Sequence, residues 1–214
     1  MTEQDNPSVS RGEARRRAMM DAAWETVLGK GFAACTLDDI ISVSGGSKST
    51  LYTQFGDKDG LFKTVMQEKC TAFSDELNLT FESDAQPDEM LHTFAELLVE
   101  KVTTEESIRF MRLLQAEGQT LPSLTQDFIC RGPERIDHSL THYLASAHQR
   151  GDLRVPDPEM YASLLLDMIL GRWTESLRLM LLPDDEFDAH KAQMSKKAKA
   201  AVDLFLAATA SQIG

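Results

Sequence analysis

Lys48, Ser49, Thr50, Tyr52 and Thr53 bring an ammonium, three hydroxyls and a phenol into six residues, with Ser47 just before them. Groups of this kind bond phosphate oxygens and base edges, so their chemistry is recognition. His138 and His142, spaced i, i+4, could share a metal on one helix face, but no HExxH-type acid accompanies them. A surface or hydrogen-bonded pair is the expected reading. Asp184, Asp185, Glu186 and Asp188 follow Pro183 and suit the start of a helix, where carboxylates are favoured. No Gly-rich phosphate loop, GxSxG turn or nucleophile–base pair is found. No catalytic residue, metal site or cofactor is therefore expected.

A helix-turn-helix is the element that would position the polar group. Thr36 is a candidate N-cap, with Asp39 three residues on as an acidic capping-box partner. Leu37, Ile40 and Ile41 then give a short helix one apolar face, and Gly45-Gly46 breaks it. Ser47 caps a second short helix from Lys48 to Gln54, whose Leu51 and Phe55 point back to a core. Asp57 caps the next helix and places Lys58 in its first turn. Thr36, Ser47, Lys48, Ser49, Thr50, Tyr52, Thr53 and Lys58 are the candidate contacts to double-stranded DNA. Among them Lys48 and Lys58 are assigned to phosphate and Thr53 to base reading.

These residues resemble the TetR/AcrR family of one-component repressors. RRRAMMDAAWETVLGKGF is similar to that family's first helix, and SKSTLYTQFGDKDGLF to its recognition helix and the start of its fourth. Ala22-Ala23, Gly31-Phe32, Thr36, Ile40, Gly45, Ser47, Leu51-Tyr52, Phe55 and Lys58-Asp59 match in order, over about residues 14–66. Ile41 and Ser44 stand where small Ala is usual. Gly46 replaces an apolar residue such as Val, which removes a packing contact beneath the turn. RFMRLLQAEGQTLPSL and LLLDMILG are similar to the AefR-like branch of C-terminal domains.

The resemblance implies an all-α fold, with an N-terminal three-helix DNA-binding domain and a C-terminal helical domain for ligand binding and dimerisation. It implies a homodimer on a palindromic operator, released by a small-molecule effector. In such a dimer the last two long helices, here about 157–172 and 185–210, form a four-helix interface. Leu164, Leu165, Met168, Gly171, Val202, Phe205 and Leu206 are its candidate residues; the alternative is that LLLDMILG is core within one chain.

Along the chain, residues 1–12 read as a disordered arm, 13–58 as the DNA-binding domain and 59–214 as the remainder. Met19, Ala23 and Val27 form one helical line and Met20, Trp24 and Leu28 the next, ending at Gly31. Helices are expected from Lys58 into the low 80s, over 87–102, 105–116, 123–149 with a disturbance at Gly132-Pro133, 157–181 and 185–210. Amphipathic helices of this kind leave a cavity among them, and Met and aromatic side chains adapt to lipophilic ligands. Met66, Phe73, Phe94, Phe110, Met111, Leu114 and Phe128 are the candidate lining, with Gln115 or Glu117 at its rim; core packing is the alternative for each. The acidic domain favours a neutral or cationic lipophile.

The net charge of −12 excludes a general nucleic-acid coat. Most of the excess acid lies after residue 60, whereas Arg11, Arg15, Arg16, Arg17, Lys48 and Lys58 form a basic set before it. Cys35, Cys70 and Cys130 are odd in number and unclustered, as in a reduced cytoplasmic protein. No secretory signal opens the chain, and no apolar run approaches the ~18 residues of a membrane span. The leading expectation is a ligand-responsive DNA-binding repressor. The alternative is a small α-helical enzyme or carrier of a hydrophobic molecule, which a gel shift with the protein's own promoter DNA distinguishes.

Overall fold

The computed structural model describes residues 10–82, 85–119, 121–171, 178, 181 and 186–210. Residues 1–9 of the expected arm, Asp184, Asp185 and most of 172–185 lie outside them. The helices run α1 (Arg11–Lys30), α2 (Leu37–Ser44), α3 (Lys48–Phe55), α4 (Lys58–Asn78), α5 (Pro87–Val102), α6 (Glu105–Glu117), α7 (Pro122–Arg131), α8 (Pro133–Arg150), α9 (Pro158–Leu170) and α10 (Phe187–Thr209). A 3-10 turn, Leu79–Glu82, finishes α4. Among the described residues the one extended pairing is an isolated bridge between Leu153 and Ala210.

Local chemistry sets most boundaries. Ser10 and Glu13 form a reciprocal capping box, so α1 begins at Arg11 and residues 10–12 belong to the helix rather than to a disordered arm. The backbone N–H of Ser10 holds the Glu13 carboxyl below its usual pKa, aided by the Ser10 hydroxyl. Prolines stand at the first positions of α5, α7, α8 and α9, where a missing N–H costs nothing. Pro133 accordingly splits the expected helix over 123–149 into α7 and α8 at Gly132.

Two apolar clusters hold the chain. The N-terminal one gathers Met19, Trp24, Val27, Ile40, Leu51, Leu61, Phe62, Val65 and Met66, and takes Phe110, Leu113 and Leu124 from α6 and α7. Past the expected junction at residue 58, the first turns of α4 thus still serve the helix-turn-helix core. The second cluster packs α5, α8, α9 and α10 around Phe94, Leu98, Leu140, Leu144, Leu165 and Val202. In it Phe81 lies 4.9 Å from Phe94 and 5.5 Å from Tyr143, ring centre to ring centre.

Gly46 has φ 102°, and a Cβ there would meet the Met19 methyl at 2.7 Å. The space an apolar side chain would fill beneath the turn is therefore taken by Met19 from α1. Among the described residues no helix is long and apolar enough to cross a membrane.

The apolar residues of α9 and α10 divide between two faces. Leu165, Val202 and Phe205 are buried inside one chain, and Leu206 packs half-buried against the same core. These four were expected at a subunit interface, and the single chain already covers them. Gly171 has φ 80° and caps the end of α9, so its glycine is needed to stop the helix, a requirement independent of close packing. Leu164 and Met168 are exposed in the single chain, and Met160 joins them at the same four-residue interval.

Candidate functional site

The helix-turn-helix forms as its caps require. The Thr36 hydroxyl accepts from Asp39 N–H at 3.2 Å, and the Asp39 carboxylate accepts from Thr36 N–H at 2.9 Å. Lys30 and Thr36 hold the Asp39 carboxyl well below the usual carboxylate range. A depressed carboxyl stabilises above its unfolded pKa and loses that effect only as pH falls through the folded value, so this cap persists at neutral pH. The Ser47 hydroxyl accepts from Thr50 N–H at 3.2 Å. Leu51 is fully buried and fixes α3 against the core, while Phe55 is half-buried.

That anchoring leaves Ser47, Lys48, Ser49, Tyr52 and Thr53 exposed and Thr50 half-buried. The Thr53 hydroxyl donates back to Ser49 C=O at 2.8 Å, and Tyr52 is 52% exposed. Lys48 pairs with Asp38 at 2.8 Å across the turn. Both side chains are largely in solvent, where such pairs contribute little and yield readily to a phosphate. Arg15, exposed on α1, reaches to 3.9 Å from a Cβ at Gly46, which places another cation beside the turn. The basic run in α1 contained Arg15, but nothing local distinguished it from its neighbours.

Lys58 departs from expectation. Its ammonium donates to Phe32 C=O at 2.8 Å and Cys35 C=O at 3.0 Å and lies 4.2 Å from the Phe32 ring centre. It is half-buried, bracing the loop after α1. On the other side of that loop Glu117, the last residue of α6, accepts from Phe32 N–H at 3.0 Å and Ala33 N–H at 3.2 Å. A Cβ at Gly31 would lie 2.5 Å from that carboxylate, so the approach needs glycine. Glu117 is therefore a fastener between helices rather than a rim residue, and Gln115 is exposed away from the cavity lining.

These placements separate two lysines that looked alike. Lys48→Ala should lower the salt slope of DNA binding by about one unit with little change in stability. Lys58→Ala should instead destabilise the fold by roughly 1–3 kcal/mol, because it strips two carbonyls of a charged donor. Titrations of DNA affinity against salt, beside thermal melts, check both; an unchanged melt for Lys58→Ala would refute the bracing role.

Behind the helix-turn-helix lies a cavity of about 550 Å³. Phe73, Phe110, Met111 and Phe128 line it, joined by Trp24 from α1 and by Lys69, Cys70, Glu76, Lys101 and Glu106. Three expected lining residues do not reach it. Met66 faces the N-terminal cluster, Phe94 is sealed in the second cluster, and Leu114 lies one turn past the lining stretch of α6. Burial raises the Cys70 thiol to about 11, so it stays protonated at neutral pH. Trp24 is 5.2 Å from Phe110, and Phe110 is 5.2 Å from Phe128, centre to centre. Phe62 and Phe32 continue the aromatic line to the loop that Lys58 holds. Sequence reading missed Trp24, since its periodicity marks it only as core.

Among the described residues no group of three or more His, Cys, Asp or Glu could hold a metal, and His138 and His142 are exposed. The site offers an exposed polar helix, a cation beside it and an apolar cavity one helix away.

Residues 19–65 match the model of bacterial regulatory proteins of the tetR family, and residues 89–210 that of the AefR-like transcriptional repressor C-terminal domain. The chain is 22% identical over 188 residues to the HTH-type transcriptional regulator YvkB of Bacillus subtilis (strain 168), covering 85% of this chain and 95% of that protein. A TetR-family transcriptional regulator from Mesorhizobium loti MAFF303099 has a similar solved structure, with TM-score 0.81, 26% identity and 94% and 99% of the two chains covered. The flavonoid-responsive regulator FrrA shares the fold at TM-score 0.70 and 24% identity, covering 92% and 98%. The two models together span both halves of the chain, in the order in which the helix-turn-helix and the helical body stand. This all-α chain belongs to the TetR family of DNA-binding transcriptional regulators, which are not enzymes.

Proposed function

We propose that the protein is a repressor that sits on a palindromic operator as a homodimer and leaves it when a small lipophilic molecule fills the cavity. Two α3 helices would enter successive major grooves about 34–36 Å apart. The observation that carries this reading is Trp24: it belongs to α1 of the DNA-binding domain and is also part of the cavity wall. A molecule in the cavity therefore touches the DNA-binding domain directly, and a shift worth a few kcal/mol in DNA affinity suffices for a switch.

Assembly is supported by the outward face of the last two helices. Met160, Leu164 and Met168 recur every four residues on α9, and Ala200, Leu204 and Ala208 do the same on α10, which packs beside it. A second copy of the chain suits this face because both stripes are apolar, with the exposed Asp167 and Asp203 flanking them. Such a protein works in the cytoplasm, where its DNA is.

The test is a gel shift with DNA from the protein's own promoter region, repeated with the small molecule that co-purifies and is identified by mass spectrometry. Phe110→Ala should raise or lower by several-fold the concentration of that molecule needed for release, since Phe110 is a wall of the cavity. Failure to bind the promoter DNA at low salt would sink the operator reading.

A further inference from the structure

One carboxylate in the cavity wall has a lopsided set of partners. Glu106, in the first turn of α6, takes Trp24 Nε1–H at 2.5 Å and Lys69 Nζ at 2.6 Å, both on Oε1. Among the described residues Oε2 has no protein hydrogen-bond partner, and the Glu106 side chain is 47% exposed, so that oxygen is open to solvent at the cavity mouth. Burial works to raise the Glu106 pKa, but the bonds from Lys69 and Trp24 outweigh it and leave the carboxyl lowered, hence ionised at neutral pH.

The remaining charges of the cavity cancel. Lys69 pairs with Glu106, and Lys101 pairs with Glu76. An additional charge on a ligand would find no counter-ion left unpaired among these four, and any part of it drawn from water against the apolar walls would lose hydration. The apolar walls come from Trp24, Phe73, Phe110 and Phe128, on four different helices. Rings meeting at about 5 Å suit a flat aromatic guest, because offset and edge contacts between rings add to their area burial. The volume of about 550 Å³ falls in the range of small-molecule sites.

Resting on the reading of this cavity as the effector site, we propose that Glu106 determines its specificity, selecting neutral aromatic molecules that carry a hydroxyl or amino donor for Oε2. A ligand without a donor lacks this charge-assisted bond, and where it displaces the water on Oε2 it leaves that oxygen unpaired. Glu106 is also the residue that grips Trp24, so the atom group that reads the ligand is the one bonded to α1.

The test compares 2-naphthol with 2-methoxynaphthalene, matched in ring and differing in the donor, by isothermal titration of the full chain. The wild-type protein should bind 2-naphthol about tenfold more tightly than the ether. Glu106→Gln, shown to be folded by circular dichroism, should shrink that ratio to near one. Equal affinities in the wild type, or a preference that survives Glu106→Gln, would overturn the assignment while leaving the cavity as an effector site. Binding of neither probe, with operator release by neither, would overturn both readings together. Should Glu106→Gln fail to fold, Trp24→Phe supplies the answer: it removes a competing donor from the same carboxylate and should widen the preference for 2-naphthol. A preference unchanged or narrowed in Trp24→Phe would count against Glu106 as the reader.

Discussion

Met168→Asp should give a folded monomer whose affinity for a two-half-site operator is lower by about 100-fold or more. The size follows from tethering: each half-site contact made by a dimer is an intramolecular event once the other is made, and that gain is typically 10²–10⁴. The fold should survive because Met168 is 40% exposed, while the core of α9 is held by Ala162, Leu165 and Ile169 on the opposite face. A carboxylate at the centre of this face, buried against its symmetry mate, is enough to separate subunits. Sedimentation, circular dichroism and anisotropy with labelled operator read the three consequences separately. If Met168→Asp remains dimeric, the interface lies elsewhere than on this face. Leu165→Asp, three residues away in sequence, should instead unfold the protein, because its side chain is fully buried.

Phe94→Ala should cost roughly 3–5 kcal/mol, a large part of the ~5–15 kcal/mol that holds a typical domain together. Phe94 is fully buried, packs on Phe81, and belongs to the cluster that joins α5 to α8, α9 and α10. It does not line the cavity, so the loss should appear in urea or thermal unfolding and leave the choice among ligands unchanged. A Phe94→Ala protein with wild-type stability but altered ligand selectivity would reverse the two roles assigned to Phe94 and Phe110.

What was legible in the sequence was local. Thr36 with Asp39, Ser47 with Thr50 and the prolines opening α5, α7, α8 and α9 act within a turn of themselves, so spacing alone placed the helix-turn-helix and most helices. What was not legible depends on which side of a helix meets a distant one. Leu164 and Leu165 are chemically identical and lie 100° apart on α9, yet one is 50% exposed and the other fully buried. Nothing in LLLDMILG distinguishes them, since a helix apolar all round carries no stripe to read. The same limit separated Phe73 and Phe110, which reach the cavity, from Met66 and Phe94, which do not. Lys58 was misplaced for a related reason: a lysine early in a helix reads as surface, and the carbonyls that claim it belong to a loop over twenty residues earlier.

Glu106 and Glu117 stand at the two ends of α6, and each grips the DNA-binding domain, one at Trp24 and the other at the N–H groups of Phe32 and Ala33. They are eleven residues apart, which is close to three whole turns and about 16 Å of rise, so both carboxylates leave the helix on the same side. Insertion or deletion of a single residue between them would rotate one grip by about 100° relative to the other and unhook it. The length of α6 is thus quantised: its outward-facing side chains can be exchanged, but it can grow or shrink only by steps that restore the phase.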